Sequence, residues 1–403
     1  MAQGRTVSYA ELDDAAARCA RRLAALGVGE GDRIATTLPP GIEFATLLHA
    51  LPRLGAVFVP VSPRDPQLEV DVKAVIAEPL SGAEADVELR REVDPGAVAV
   101  IIHTSGTTAA PKPVGLTYGN FAASAEASAA NLGVEPDDRW LSSMPLFHVG
   151  GLSVLTRSAI YGTCAVIHER FDAERMKESI ESGQATLVSV VATMLRRLRA
   201  AGLGAAPALR AALVGGGPVP RDLLEWGAAA GLPFVETYGM TETCSQIATP
   251  RLLPGVEVRT SDEGELLVRG PMVAPGSIAA DGWLHTGDRG RVDHDGTLHV
   301  EGRIKDIIVS GGENVAAPEV EEALLAHPAV DDVAVVGRPD DEWGELVVAY
   351  VVANGVSDDE LIAHCRDRLA AHKVPRAIER IAEVPRTASG KALKGRLSIQ
   401  SSA

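Results

Sequence analysis

Apolar residues recur every three or four positions from Leu12 to Leu23, which places them on one face of a helix. Ser8 stands three residues before Glu11, the spacing of a capping box that satisfies the free N–H groups of a helix start. The pattern therefore predicts an amphipathic helix over residues 8–27.

Short apolar runs follow and alternate with further helical patterns. The segments 32–38, 55–61 and 98–102 are typical of buried strands, and a helix is expected over 42–54. Strands that alternate with helices favour a mainly parallel sheet covered by helices on both faces. This rhythm continues to about residue 250, apart from a polar, acidic segment over 66–96.

The pattern changes in the last third of the chain. Residues 260–303 contain short strands and glycine turns, which predict a small β unit. Beyond Gly302 we expect an α+β arrangement, with helices over 318–327 and 358–371 and strands over 330–336 and 346–352. We place the domain boundary near Arg303–Asp306, giving a large domain over 1–303 and a small domain over 304–403.

Composition excludes several classes of protein. The net charge of −16 argues against a nucleic-acid-binding protein, which needs a basic face. No apolar run reaches the ~18 residues that suggest a membrane span, and the start of the chain lacks the apolar core of a signal peptide. The four cysteines form no CxxC pair and fit reduced thiols in the cytoplasm. A homo-oligomer remains open.

The loop after the strand at 98–102 carries the most specific chemistry. Hydroxyls, a flexible glycine and one cation crowd together at Thr104, Ser105, Gly106, Thr107, Thr108 and Lys112. Such groups suit a polyphosphate, because several donors can converge on its charge. Lys112 lies between two prolines, so the loop is not a standard P-loop, and a Rossmann glycine fingerprint is missing. An ordinary Ser/Thr/Gly turn is the alternative.

This loop resembles the phosphate-binding signature of the adenylate-forming superfamily, which contains acyl-CoA synthetases, luciferases and peptide-synthetase adenylation domains. Two positions depart from the signature: Ala109 adds a Cβ where the family has glycine, and Pro113 removes a backbone donor. The resemblance covers about residues 5–396 through further motifs in order. These are 145–151, Gly215-Gly216-Gly217, Thr237-Tyr238-Gly239-Met240-Thr241-Glu242, 283–288, Arg303, 310–314 and 385–391.

The resemblance implies a fold with a large multi-sheet α/β domain, a small β unit and a small mobile α+β C-terminal domain. It also implies ATP, Mg²⁺ and CoA as ligands. The adenine is expected against Tyr238 and the glycines 215–217, within a nucleotide-binding set that includes Thr237, Gly239 and Met240. Thr241 is expected to contact phosphate and Glu242 to bind Mg²⁺, which favours carboxylate oxygens. Asp288 and Arg303 are expected at the ribose.

The remaining roles concern the acid and the thiol. The resemblance implies that His148 gates the acyl pocket and that Gly311 and Gly312 border the CoA tunnel. It also implies that the small domain rotates about Lys305 and that Lys391 offsets the charge that develops during adenylation. For an acid with a second carboxylate we select Arg157 as the cation, with Ser245 beside the acid. A helix-surface arginine is the alternative for Arg157.

Within the superfamily, residues 144–155, 215–220 and 237–246 are most similar to the ligases that join o-succinylbenzoate to CoA in menaquinone biosynthesis. The expected reaction is activation of the acid as an acyl-adenylate, followed by transfer to CoA. Three alternatives stay open. They are a CoA ligase for another aryl or fatty acid, a non-catalytic nucleotide-binding homologue, and a stand-alone adenylation enzyme that loads a carrier protein.

Overall fold

The computed structural model describes residues 1–2, 4–63, 68–104, 112–386 and 392–400. Residues 398–400 are described by their backbone alone. The chain divides into two compact units. The larger unit comprises Met1–Gly216, Gly227–Glu257 and Arg269–Leu284, and the smaller comprises Gly217–Trp226, Val258–Val268 and His285–Ala403. The boundary near Arg303–Asp306 stays a prediction.

The first sheet of the larger unit has the strand order β3-β1-β2-β4-β5. Its strands are β1 (Arg33–Thr36), β2 (Val57–Pro60), β3 (Ala74–Ile76), β4 (Val98–Thr104) and β5 (Lys112–Thr117). The pairs β1–β2, β1–β3 and β2–β4 are parallel, and β5 runs antiparallel to β4. Leu68, Val70 and Val72 pack on the apolar face of this sheet. Because these three apolar residues alternate with polar ones, all three side chains can face the sheet.

Two helices accompany this sheet, α1 (Tyr9–Ala25) and α2 (Ile42–Ala50), and a 3₁₀ turn, Leu51–Leu54, extends the second. The predicted capping box is present, because the Ser8 hydroxyl accepts from Glu11 N at 3.2 Å and the Glu11 carboxylate accepts from Ser8 N at 2.8 Å. The buried face of α1 includes Ala16 and Leu23. The predicted helix over 8–27 is therefore confirmed.

The second sheet is parallel and has the order β10-β9-β8-β6-β7. Its strands are β6 (Arg139–Ser142), β7 (Cys164–Ile167), β8 (Leu187–Val190), β9 (Ala211–Val214) and β10 (Phe234–Glu236). The helices of this part of the chain are α3 (Tyr118–Leu132), α4 (Val149–Tyr161), α5 (Ala173–Glu181), α6 (Ala192–Ala200) and α7 (Arg221–Ala229). The strands of this sheet are mostly buried, as apolar strands covered on both faces must be.

A third, antiparallel sheet closes the larger unit in the order β11-β12-β13, with β11 at Tyr238–Met240, β12 at Ser245–Thr249 and β13 at Arg251–Leu252. A fourth sheet confirms the small β unit expected over 260–303. Its strands, in order, are β14 (Glu257–Thr260), β15 (Glu265–Arg269), β16 (Leu284–Val292) and β17 (Leu298–Arg303).

The fifth sheet belongs to the smaller unit and has the order β19-β18-β21-β20, with β22 also pairing with β21. Its strands are β18 (Ile307–Ser310), β19 (Glu313–Ala316), β20 (Val330–Asp340), β21 (Gly344–Ala353) and β22 (Ala377–Arg380). Its helices are α8 (Ala317–Leu325), α9 (Asp358–Arg366) and α10 (Lys394–Gln400). The helix expected over 358–371 thus ends earlier, at Arg366, and a separate 3₁₀ turn follows at Ala371–Lys373. The α/β fold class is confirmed.

Candidate active site

The predicted phosphate loop joins two antiparallel strands of the first sheet. Thr104 ends β4 and pairs with Lys112, the first residue of β5, and the Thr104 hydroxyl donates to the Lys112 carbonyl at 3.2 Å. Ser105, Gly106, Thr107 and Thr108 lie outside the described residues, as does Ala109. Lys112 is exposed, so its ammonium is available to an anion.

Pro113 lies in β5 rather than in the loop, opposite His103. β5 is an edge strand of its sheet. Proline is tolerated on edge strands, because its missing N–H need not leave a ladder carbonyl without a donor. The departure at Pro113 therefore falls at a position that accommodates proline.

The three glycines 215–217 follow β9, as the apolar run before them predicts. A Cβ at Gly215 would lie 2.8 Å from the Thr237 side chain, and Gly216 has a positive φ of 80°. A Cβ at Gly217 would meet no atom within 4 Å. The Thr237 hydroxyl is buried and has no hydrogen-bond partner in the described part of the chain. Bare backbone and an unpaired hydroxyl fit a flat ligand with polar edges.

Thr241, Glu242 and Thr243 form a 3₁₀ turn between β11 and β12. The next two residues, Cys244 and Ser245, have positive φ values of 50° and 95°. Non-glycine residues adopt this conformation rarely and at a cost, so contacts elsewhere must hold them.

Several hydrogen bonds fasten this turn. The Thr243 hydroxyl accepts from Met240 N at 3.0 Å and lies 2.8 Å from the Ser245 carbonyl, to which it donates. Ala274 N donates to the Glu242 carbonyl at 2.8 Å. The Ser124 hydroxyl of α3 donates to the Cys244 carbonyl at 2.8 Å. The backbone of the turn is thus fixed on both sides.

The side chain of Glu242 remains available. It is half-buried and makes no hydrogen bond or ion pair with any residue that the structure describes. Within the described ranges no group of three or more His, Cys, Asp or Glu side chains could hold a metal ion by itself. A single carboxylate fits Mg²⁺, which is usually held by one or two carboxylates together with substrate phosphates.

His148 is the N-cap residue of α4, and its imidazole packs against Phe147 with ring centroids 4.6 Å apart. The Nε2 atom is buried without a hydrogen-bond partner among the described residues. Burial lowers the pKa of His148 to about 4. The ring is therefore neutral at pH 7, which suits a wall of an acyl pocket and not a counter-ion for a carboxylate.

Arg157 is 2% exposed, so its alternative interpretation as a helix-surface residue is wrong. Its Nη1 and Nη2 atoms donate to Gln246 Oε1 at 3.3 Å and to the Ser124 hydroxyl at 2.9 Å. The guanidinium carbon lies 5.7 Å from the centroid of the Trp140 ring, and Nε has no hydrogen-bond partner among the described residues. Burial lowers the pKa of Arg157, but a guanidinium stays charged. The hydrogen-bonding and ring partners of Arg157 in the described part of the chain are all neutral, although a buried cation normally needs an anion.

In the smaller unit, the residues expected at the ribose form a cross-strand pair. Asp288 of β16 faces Arg303 of β17, with Arg303 Nε 2.9 Å from Asp288 Oδ1. Arg303 Nη1 also donates to the Thr286 carbonyl at 2.8 Å. Gly287 and Asp288 both lie within β16. Gly287 has a positive φ of 68° there.

The other predicted residues of the smaller unit lie in turns. Lys305 lies in a 3₁₀ turn that follows β17 and is largely exposed. The part of the side chain that is buried lowers the pKa of its ammonium. Gly311 and Gly312 connect β18 to β19 with positive φ values of 61° and 83°. Lys391 lies outside the described residues. Of the described residues on either side, Arg386 forms an isolated antiparallel bridge with Ala392.

Comparisons with known proteins match this arrangement. The model of the AMP-binding enzyme family matches residues 1–75 and 65–277, and that of the AMP-binding enzyme C-terminal domain matches residues 319–391. This chain belongs to the AMP-binding enzyme family. The resemblance inferred from its motifs is thereby confirmed.

Three similar members of the AMP-binding family narrow the comparison. A 2-succinylbenzoate–CoA ligase of Bacillus cereus is 37% identical, over 97% of this chain and 93% of the relative. The o-succinylbenzoate CoA synthetase of Bacillus subtilis in complex with the acyl-adenylate OSB-AMP has a TM-score of 0.91 and 36% identity, over 98% of this chain and 94% of that one. The same synthetase with ATP and a magnesium ion has a TM-score of 0.89 and 34% identity, over 98% and 95%.

The chain also departs from its family. The alignment with the Bacillus cereus relative spans 448 positions, although the present chain has 403 residues, so the relative contains residues that this chain lacks. The two matches to the first family model overlap at 65–75. This is where Leu68, Val70 and Val72 pack against the buried residues of the first sheet.

Sequence reasoning missed three residues that hold the backbone next to predicted site residues. Ser124 and Asn120 lie on α3, and Thr286 precedes the Gly-Asp pair. The Thr286 hydroxyl accepts from Asp288 N at 3.0 Å and donates to the Leu266 carbonyl at 2.7 Å. The one available signal was a polar residue every fourth position on α3, where a packed helix would carry apolar ones.

Proposed function

We propose that this chain is an ATP-dependent o-succinylbenzoate–CoA ligase of menaquinone biosynthesis. The relatives and their bound ligands support this assignment. The observation that carries it within the chain is Arg157, a buried cation whose partners among the described residues are neutral. A dicarboxylic acid supplies the missing negative charge, whereas a fatty acid with one carboxylate does not.

The reaction has two steps. A carboxylate oxygen of the acid attacks the α-phosphorus of ATP, the bond from that phosphorus to the bridging oxygen breaks, and pyrophosphate leaves with the electron pair. The CoA thiol then loses its proton, its sulfur attacks the acyl carbon, and AMP leaves with the electrons of the carbon–oxygen bond. The products are acyl-CoA, AMP and pyrophosphate.

Most of the residues that act in the first step belong to the larger unit. Thr104, Lys112 and the intervening hydroxyls bind the phosphates, and Tyr238 and the glycines 215–217 bind the adenine. Thr241 contacts phosphate and Glu242 holds Mg²⁺, which offsets negative charge on the phosphates when it is bound. Ser245 lies at the other end of the same turn, where it contacts the acid. His148 excludes water from the acyl pocket.

Residues of the smaller unit act in both steps, and we place the mobile C-terminal domain at 304–403. In the first step Asp288 and Arg303 hold the ribose, and the Lys391 ammonium stabilises the charge that builds as oxygen attacks phosphorus. Rotation about Lys305 then replaces the Lys391 segment with the Gly311–Gly312 turn, beside which CoA enters. We place the reaction in the cytoplasm, and the four free thiols are compatible with this.

Arg157 gives the test that separates a dicarboxylate from other acids. We expect Arg157→Gln to lower kcat/KM for o-succinylbenzoate by about tenfold to a hundredfold, because a charge-assisted contact is lost. Benzoate-type acids with one carboxylate should change much less. Arg157→Lys keeps the charge and is the matched control. An equal loss for both kinds of acid would show that Arg157 is structural.

Lys391 separates the ligase from a non-catalytic nucleotide-binding homologue. We expect Lys391→Ala to abolish pyrophosphate release from acid and ATP, while transfer from preformed acyl-adenylate to CoA continues. Unchanged adenylate formation would refute the role of Lys391. A wild-type protein that binds ATP but activates no acid would favour the non-catalytic alternative.

A further inference from the structure

Helix α3 carries three buried polar residues, each one turn after the last. Asn120, Ser124 and Ser128 are 4%, 2% and 1% exposed. Residues four apart lie on the same face of a helix, so the three form one polar stripe. Burying a polar group is unfavourable unless it is hydrogen-bonded, so the partners of this stripe indicate its role.

Two members of the stripe hold backbone that surrounds the candidate metal residue. Asn120 Nδ2 donates to the carbonyls of Pro271 and Val273 at 2.9 and 3.0 Å. This fixes the segment whose next residue, Ala274, donates to the Glu242 carbonyl. Ser124 acts directly, because its hydroxyl donates to the Cys244 carbonyl at 2.8 Å. Ser128 differs, since its partner is the side chain of Gln246, at 3.4 Å.

The contact from Ser124 falls at the least favourable point of the backbone. Cys244 ends the 3₁₀ turn in the left-handed conformation, and Ser245 after it also has a positive φ. Without external contacts, such a pair would relax toward ordinary backbone angles at a gain of about 1 kcal/mol or more per residue. That relaxation would move Thr241 and Glu242, since they belong to the same short turn.

The hydroxyl of Ser124 is itself oriented by a cation. Arg157 Nη2 donates to the Ser124 oxygen at 2.9 Å, which directs the hydroxyl hydrogen toward the Cys244 carbonyl. A charged donor strengthens the bond that its acceptor makes in turn. Arg157, Ser124 and Cys244 thus form a buried chain that leads from the proposed acid-binding cation to the proposed metal-binding turn.

We propose that Ser124 is a positioning residue for carboxylate activation. By holding the Cys244 carbonyl, it keeps the strained turn in the conformation in which Thr241 and Glu242 face the phosphates and the metal of MgATP. The proposal rests on the proposed function in that it takes MgATP as the ligand of this turn. It does not depend on which acid is activated.

The experiment compares Ser124→Ala with Ser124→Thr, which keeps the hydroxyl, and with Ser128→Ala, which removes an equally buried hydroxyl one turn further along α3. Calorimetry measures the affinity for MgATP, with no acid present. A pyrophosphate-release assay at varied Mg²⁺ gives the concentration for half-maximal rate. Transfer from preformed acyl-adenylate to CoA is measured separately, and urea unfolding reports stability.

We expect Ser124→Ala to weaken MgATP binding and to raise the half-maximal Mg²⁺ concentration by about tenfold each, the effect of one buried hydrogen bond. The transfer to CoA should change less than twofold. Ser124→Thr should recover most of the MgATP affinity. Ser128→Ala should lose stability to a similar extent as Ser124→Ala, with unchanged MgATP affinity.

Equal MgATP affinity and Mg²⁺ dependence in Ser124→Ala and Ser128→Ala would overturn the proposal and leave Ser124 a structural residue. Failure of the proposed substrate has a different signature. In that case wild-type protein binds MgATP, with the loss in Ser124→Ala still present, but does not activate o-succinylbenzoate.

Discussion

Two turns in this chain use positive φ angles in opposite ways. The turn that ends at Cys244 and Ser245 places non-glycine residues in the left-handed region and holds them with hydrogen bonds from Thr243 and Ser124. The turn at Gly311 and Gly312 reaches similar angles with residues that have no Cβ. The first conformation is imposed by its surroundings, whereas the second is intrinsic to its residues.

The difference matches the roles that we propose for the two turns. A turn that aligns a metal-binding carboxylate benefits from being held rigidly, because small displacements weaken charge stabilisation. A turn that approaches CoA after a domain rotation must keep its shape when its surroundings change. Glycine provides this, because its left-handed conformation costs no steric energy.

The strongest way to break the held turn is Gly239→Ala. A Cβ at Gly239 would overlap the carbonyl of Ser245 and lie 2.7 Å from the Cα of Gln246. Both neighbours are backbone and cannot move aside, so we expect a loss of about 4 kcal/mol or more in the free energy of unfolding. Urea unfolding measures this loss. A stable Gly239→Ala protein with normal adenylate formation would show that the turn is not rigidly held.

Acid should weaken the larger unit through His148. Unfolded histidine binds a proton below about pH 6.5, but buried His148 does so only near pH 4. The unfolded state therefore binds more protons between these values, and stability falls as pH falls through this window, by about 3 kcal/mol in total. His148→Phe should remove this part of the acid dependence, and exposed His294→Phe is the matched control. Parallel stability–pH curves for wild type and His148→Phe would contradict the burial of a neutral ring.

The glycine turn should respond in a graded way. Both glycines have a positive φ, which strains any residue with a Cβ. In addition, a Cβ at Gly311 would approach the Trp343 ring to 2.9 Å, whereas a Cβ at Gly312 would meet nothing within 4 Å. We expect losses in the free energy of unfolding of about 2 kcal/mol for Gly311→Ala and about 1 kcal/mol for Gly312→Ala. Both variants should slow transfer to CoA more than adenylate formation. The reverse order of slowing would exclude this turn from the thiol step.

The smallest effect is expected at Pro113. Because Pro113 lies on an edge strand, Pro113→Gly should change ATP affinity by less than about twofold. Ala109→Gly, at the family's other glycine position, tests whether that departure limits binding. Tighter ATP binding in both single variants would show that both departures weaken the loop, and titration calorimetry measures it.

Much of this fold follows from the sequence by local rules. The capping box at Ser8 and Glu11 gives α1, and apolar runs give the strands of both large sheets, because these signals act within a few residues. The candidate site residues were inferred from motifs that occur along the chain in the same order as in the family. Their resemblance placed Asp288 and Arg303 together, although no local rule predicts that these residues face each other across two strands.

The rest depends on contacts between residues far apart in the chain. Ser124 and Cys244 are separated by 120 positions, and a serine on a helix gives no indication that it is buried or which carbonyl it binds. The burial of Arg157 likewise depends on packing that a helical pattern does not specify. Gly287 lies in β16 with a positive φ, a combination that no local rule distinguishes from a turn.

We propose above all that this chain activates a specific dicarboxylic acid. The most direct measurement follows AMP release from ATP and CoA with a panel of acids that includes o-succinylbenzoate, aryl acids with one carboxylate and fatty acids. We expect the highest kcat/KM for o-succinylbenzoate, with one acyl-CoA formed per AMP. No turnover of o-succinylbenzoate, together with strong turnover of another acid, would contradict it.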